Sequence, residues 1–212
     1  NSISEFLKIV MNFAEKSASF FDPHLKDFTN YLCAIALNKG LQIERIYAMM
    51  CMASIARGAP QMCQMSNSRF LFPVIHCLIS IIAEITDDSN WGFDPNDIQP
   101  YVIAKDTFGT VSKECGNSNF FNFFINLMND VFSKPNQPWE IIYAFVAALA
   151  ELDTSTLSLL INTQDRNNDQ VLPVVQITMQ IMPFIKDLNC HPRIRQASFQ
   201  VITQLCRWIG PY

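Results

Sequence analysis

Glycine is scarce: six residues in 212. Few hairpin turns can be built from so little of it, which argues against a β-sandwich or barrel. Clusters of Lys and Arg are missing too, and the net charge is −4, so nothing is arranged to neutralise phosphates. Nucleic acid is therefore not an expected partner. Long apolar runs are absent. The longest, 71–83, is interrupted by Pro73 and His76 and is too short to span a bilayer, so no membrane is expected either. There is no CxxC, and the seven Cys are scattered and odd in number. That usage suits a reducing compartment, with free thiols acting as small hydrophobes inside helices. No GxGxxG or GxxxxGK cradle for a nucleotide is present. The three His stand at 24, 76 and 191, two of them beside a Cys, which gives no zinc-like spacing. No strained nucleophile elbow marks any Cys. The expectation is no cofactor, no metal, no catalytic residue and no enzyme. The opening NSISEFLKIV lacks an initiator Met, a basic n-region and a cleavage site, and reads as an interior cut of a longer protein.

What the chain does have is helical patterning. Half its residues are hydrophobic, enough for a core. The last stretch, HPRIRQASFQVITQLCRWIGPY, has Pro192 placed for a helix first turn. Ile194, Ala197, Val201, Leu205 and Trp208 then recur along one face, and Gly210-Pro211 is a stop signal. Eight earlier segments read the same way. One over 3–16 has a face of Ile3, Phe6, Ile9 (or Val10) and Phe13. A second follows Asp22-Pro23, read as a cap and first-turn proline, and runs to about Leu37. A third, 41–57, carries Ile43, Ile46, Met50 and Ala53. The fourth, 67–86, has two stripes: Phe70, Val74, Cys77, Ile81 beside Leu71, Ile75, Leu78, Ile82, Ile85. A helix that apolar needs neighbours on more than one side, as the inner helices of a stacked array have. The rest span 98–115, the Phe-rich 119–133, 139–152 and 169–187, the last again with two apolar faces. Residues 153–168 are polar and read as a loop or a frayed helix end. Nine helices at this spacing make about four and a half pairs of roughly 40–47 residues, the HEAT/armadillo period. The expected fold is all-α, a HEAT-repeat superhelix; an up-down bundle of nine helices is the competing arrangement.

Two stretches carry a family resemblance. PWEIIYAFVAALAEL, from Pro138, and HPRIRQASFQVITQLC, from His191, resemble consecutive HEAT repeats of the importin-beta (karyopherin-beta) superfamily, in the branch of large importins that carry ribosomal proteins and histones. Trp139, Ala144, Ala148 and Leu149 match the pattern W-x-x-R-x-A-x-x-x-A-L. His191, Pro192, Arg193, Arg195 and Ala197 match D-P-H-P-R-V-R-x-A. Ile142 stands where the first pattern has Arg and Asn189 where the second has Asp, so the implied Asp–Arg ladder between repeats is incomplete. The resemblance extends over all 212 residues, as one HEAT segment (1–212) of a larger karyopherin-like protein.

The resemblance implies a binding protein that shuttles between cytoplasm and nucleus. Basic cargo would lie on the concave helices (22–37, 67–86, 119–133, 169–187), Phe-Gly nucleoporins between outer helices, and Ran-GTP would release the cargo. The insert DDSNWGFDPND lies where these importins carry an acidic segment. Asp87, Asp88, Asp94 and Asp97, with Trp91 as an aromatic anchor, are the candidate cargo-binding residues. The same carboxylates also suit a plain solvated loop. Trp139, Trp208 and Arg195 are expected to be structural. The other reading of the whole is a HEAT scaffold for a complex unrelated to transport, such as a phosphatase scaffold subunit.

Overall fold

The chain builds two parallel rows of helices. The computed structural model describes residues 2–87, 99–153 and 173–209. Asp88, Trp91, Asp94, Asp97, Leu172, the loop expected over 153–168 beyond its first residue, and the Trp208 side chain lie outside what is described. Among the described residues there is no strand. The helices are α1 (Ser2–Ser17), α2 (Leu25–Leu37), α3 (Gln42–Gly58), short α4 (Pro60–Gln64), α5 (Phe72–Ile82), α6 (Pro100–Cys115), α7 (Ser118–Phe132), α8 (Trp139–Ala150), α9 (Pro173–Lys186) and α10 (Pro192–Ile209). One row runs α1, α3, α6, α8, α10; each helix packs on the next. The other runs α2, α5, α7, α9, through helix contacts and through Phe72 on Phe123 and Phe132 on Phe184. This is the stacked HEAT arrangement, not an up-down bundle.

The repeat can be read directly from the bonds that cross it. Ser4 Oγ donates to Glu44, Cys33 Sγ reaches the Pro73 carbonyl, and Arg45 pairs with Glu84; these partners are 40, 40 and 39 residues apart. Cys51 Sγ reaches the Leu7 carbonyl and Cys77 Sγ that of Cys33, each 44 apart. Across the 88–98 insert the interval stretches to 59, Cys115 to Ala56; beyond it Asp153 to Ser112 is 41 and Gln180 to Asn129 is 51. Thiols therefore make several of the contacts that join repeats.

Local chemistry sets the breaks. A 3₁₀ turn over Ala18–His24 contains Pro23, and α2 begins only at Leu25. Asp22 is not the cap expected of it; its carboxylate accepts from Arg69 at 3.2 Å instead. Pro60 opens α4, whose missing N–H is harmless in a first turn. A π-turn, Asn67–Leu71, then feeds α5, which stops at Ile82. Asn117 caps α7 by accepting from the Phe120 N–H at 2.9 Å.

Both stripes of α5 are buried, as are Ile194, Ala197, Val201 and Leu205 of α10. Two expected faces are only partly so: Val10 and Ala53 are buried, most of the rest are not. On α1 the core side is Leu7, Val10 and Ala14, while Phe6, Ile9 and Phe13 are exposed. On α3, Ile43 and Met50 are exposed, and Ala48, Met49, Met52, Ile55 and Ala56 are inside. Close approach decided the matter: a Cβ on Gly58 would lie 2.1 Å from the Ala14 carbonyl oxygen. Small side chains, not the largest ones, line a contact that tight.

Candidate protein-binding surface

Side chains join the helices of the α2, α5, α7, α9 row. Between α5 and α7, Phe72 stacks on Phe123 with centroids 3.8 Å apart, and the exposed His76 meets Phe123 edge-on at 5.4 Å. Between α7 and α9, Gln180 donates to Asn129 Oδ1 at 2.7 Å beside the Phe132–Phe184 contact. Beside α9 an open groove of about 480 Å³ is lined by Thr178, Met179, Met182, Pro183 and Lys186. Pro183 has no N–H to give the Met179 carbonyl. The two apolar faces expected of α9 have different fates. Val174, Ile177 and Ile181 are buried, whereas Val175 is 38% and Met179 67% exposed.

Of the candidate cargo residues the described structure holds Asp87 alone. Its Oδ1 sits 3.3 Å from His191 Nε2, while its side chain remains 66% exposed. His191 in turn stacks on Trp139, centroids 3.7 Å apart and planes 10° from parallel. Its Nδ1 accepts from the Arg193 N–H at 3.3 Å, which leaves Nε2 as the nitrogen that donates toward Asp87. The Trp that opens the first motif, the His that opens the second and the first Asp of the insert thus form one cluster. Trp139 is a packing residue, as expected. Arg195 is structural: its Nη2 donates to the carbonyls of Asp187, Leu188 and Cys190, tying down the turn between α9 and α10.

Nothing in sequence spacing pointed to Phe72, His76 and Phe123 as neighbours. The one available signal for the α9 groove was a proline inside a doubly apolar helix. Among the described residues no group of three or more His, Cys, Asp or Glu could hold a metal, and no helix is long and apolar enough to cross a membrane. Chemically, the surface offers aromatic faces, amides and thioethers to another polypeptide.

No protein-family model matches the chain, and no curated protein matches it. Among solved structures it is similar to the crystal structure of Kap121p bound to Nup53p, with a TM-score of 0.79 and 17% identity. The match covers 95% of this chain and 19% of that one, so the chain spans about a fifth of the length of the protein it resembles. The likeness establishes the fold, a HEAT-repeat superhelix.

Proposed function

We propose that the chain is a protein-binding segment of a nuclear transport receptor of the importin-beta type. Cargo, basic in character, is taken on the α2, α5, α7, α9 row, and Asp88, Trp91, Asp94 and Asp97 of the insert grip it beside Asp87. Phe-Gly nucleoporins and Ran-GTP engage the longer protein, which moves between cytoplasm and nucleus. The observation that carries this reading is the stack of helix pairs, similar to Kap121p over 95% of the chain. That structure holds Kap121p with Nup53p, which favours transport over an unrelated scaffold. Each pair in a solenoid packs mainly on its neighbours, so small changes at each interface can trade one partner for another.

The test is titration of the purified chain with a histone-tail peptide at low and high salt. Binding should weaken as salt screens the charges. It should also weaken when Asp87, Asp88, Asp94 and Asp97 are changed together to Asn. Absence of binding at low salt would reject the acidic grip. A longer chain that captured neither Phe-Gly repeats nor Ran-GTP would reject the transport assignment.

A further inference from the structure

Five of the seven cysteines lie at contacts between helices, and two of those contacts bring thiols together. Cys33 on α2 reaches the Pro73 carbonyl at 3.7 Å, and Cys77, one turn beyond Pro73 on α5, reaches the Cys33 carbonyl at 3.9 Å. The Cys77 thiol also lies within hydrogen-bonding reach of the Cys33 sulfur. Cys33 is partly open to solvent; Cys77 is 3% exposed. The second couple, Cys63 and Cys115, is likewise in contact, with both residues at 0% exposure.

We propose that Cys33 and Cys77 are a peroxide-oxidisable pair whose disulfide staples the first helix pair to the second. The hydrogen bond from Cys77 holds the Cys33 thiol below the ordinary thiol range, while that bond and burial push Cys77 up. Cys33 is the sulfur of the two that is open to solvent, so it is the attacking group and Cys77 the resolving one. The Cys33 thiolate attacks one oxygen of hydrogen peroxide: an S–O bond forms, the O–O bond breaks, and hydroxide leaves to take up a proton as water. The Cys77 sulfur then attacks the Cys33 sulfenic acid. An S–S bond forms, the S–O bond breaks, and the departing oxygen leaves as water with the Cys77 proton. Two thiols give two electrons to one peroxide, and two waters result. Cys63 and Cys115 have the same kind of contact but no path for the oxidant, so the buried couple stays reduced.

The 212-residue chain carrying Cys206→Ser, which removes the exposed thiol that would join molecules, is treated with hydrogen peroxide and digested with trypsin without reduction. Peptide 27–39 carries Cys33 alone and peptide 70–105 carries Cys77 alone. The expected product is those two peptides linked, with two thiols lost per chain and recovered by dithiothreitol. With Cys77→Ser the link is gone, and Cys33 is labelled by dimedone as the trapped sulfenic acid. The proposal is overturned if the parent chain accumulates dimedone-labelled Cys33 with Cys77 free. It is equally overturned if Cys63–Cys115 links as fast, or if peroxide consumes other thiols and no 27–39/70–105 species forms.

Discussion

Arg45 Nη2 lies 2.6 Å from Glu84 Oε2, and the Arg45 Nε donates at 2.6 Å to the carbonyl of Ala36. One guanidinium thus closes the last turn of α2, whose terminal carbonyls have no partner within the helix, and binds the end of α5. Its side chain is 3% exposed. Glu84→Gln leaves a buried cation without its counter-charge and is expected to cost roughly 3 kcal/mol in urea unfolding. Arg45→Met added to Glu84→Gln should recover part of that loss. An additive double mutant would show that the two groups are not coupled.

Gly58 sets the spacing of α1 and α3. Alanine is the better helix former by about 1 kcal/mol. Here, though, its Cβ would meet the Ala14 carbonyl at 2.1 Å and the Ala18 Cβ at 2.9 Å. Gly58→Ala is expected to destabilise by about 1–3 kcal/mol. Gly40→Ala, whose Cβ would meet only the Asn38 side chain at 3.3 Å, serves as comparison. Equal unfolding midpoints for the two would contradict the close approach.

Glu151 lies against Gly109 at the α8 terminus. Burial lifts its carboxyl above the ordinary value of 4.5, with Lys105 working against that and Asp106 adding to it. The folded chain holds this proton to higher pH than the unfolded chain does. The resulting stabilisation is complete below the ordinary value and is lost as pH rises through the folded one. Glu151→Gln should therefore be more stable than the parent at neutral pH, with the advantage gone by about pH 4. Parallel stability curves from pH 4 to 8 would contradict this.

The two faces of α9 give a paired comparison. Met179→Gln alters a side chain already in water and should shift stability by less than about 0.5 kcal/mol. Ile181→Ala empties a fully buried site and should cost roughly 2–5 kcal/mol. Thermal and urea unfolding of the two variants decide which side of the helix faces the core.

The helices, their order and the two-stripe character of α5 could be read from spacing, because a helix enclosed by neighbours must be apolar on several sides. The inward faces of α1 and α3 could not. Phe6 and Phe13 outweigh Leu7 and Ala14 in any hydrophobic count, but the distance between helices is set by Gly58 and Ala14, and only three-dimensional contact shows that. The cap expected at Asp22 failed for a related reason: a distant partner, Arg69, holds the carboxylate instead. The Asp87–His191–Trp139 cluster joins three separate motifs, each visible alone. Their meeting depends on how the second and fourth pairs of helices are staggered, which no periodicity encodes.

That meeting point ties two levels of the stack together. Asp87 follows α5, and the imidazole it meets stands one residue before α10. If the superhelix winds or unwinds between those levels, the anchor must stretch or let go.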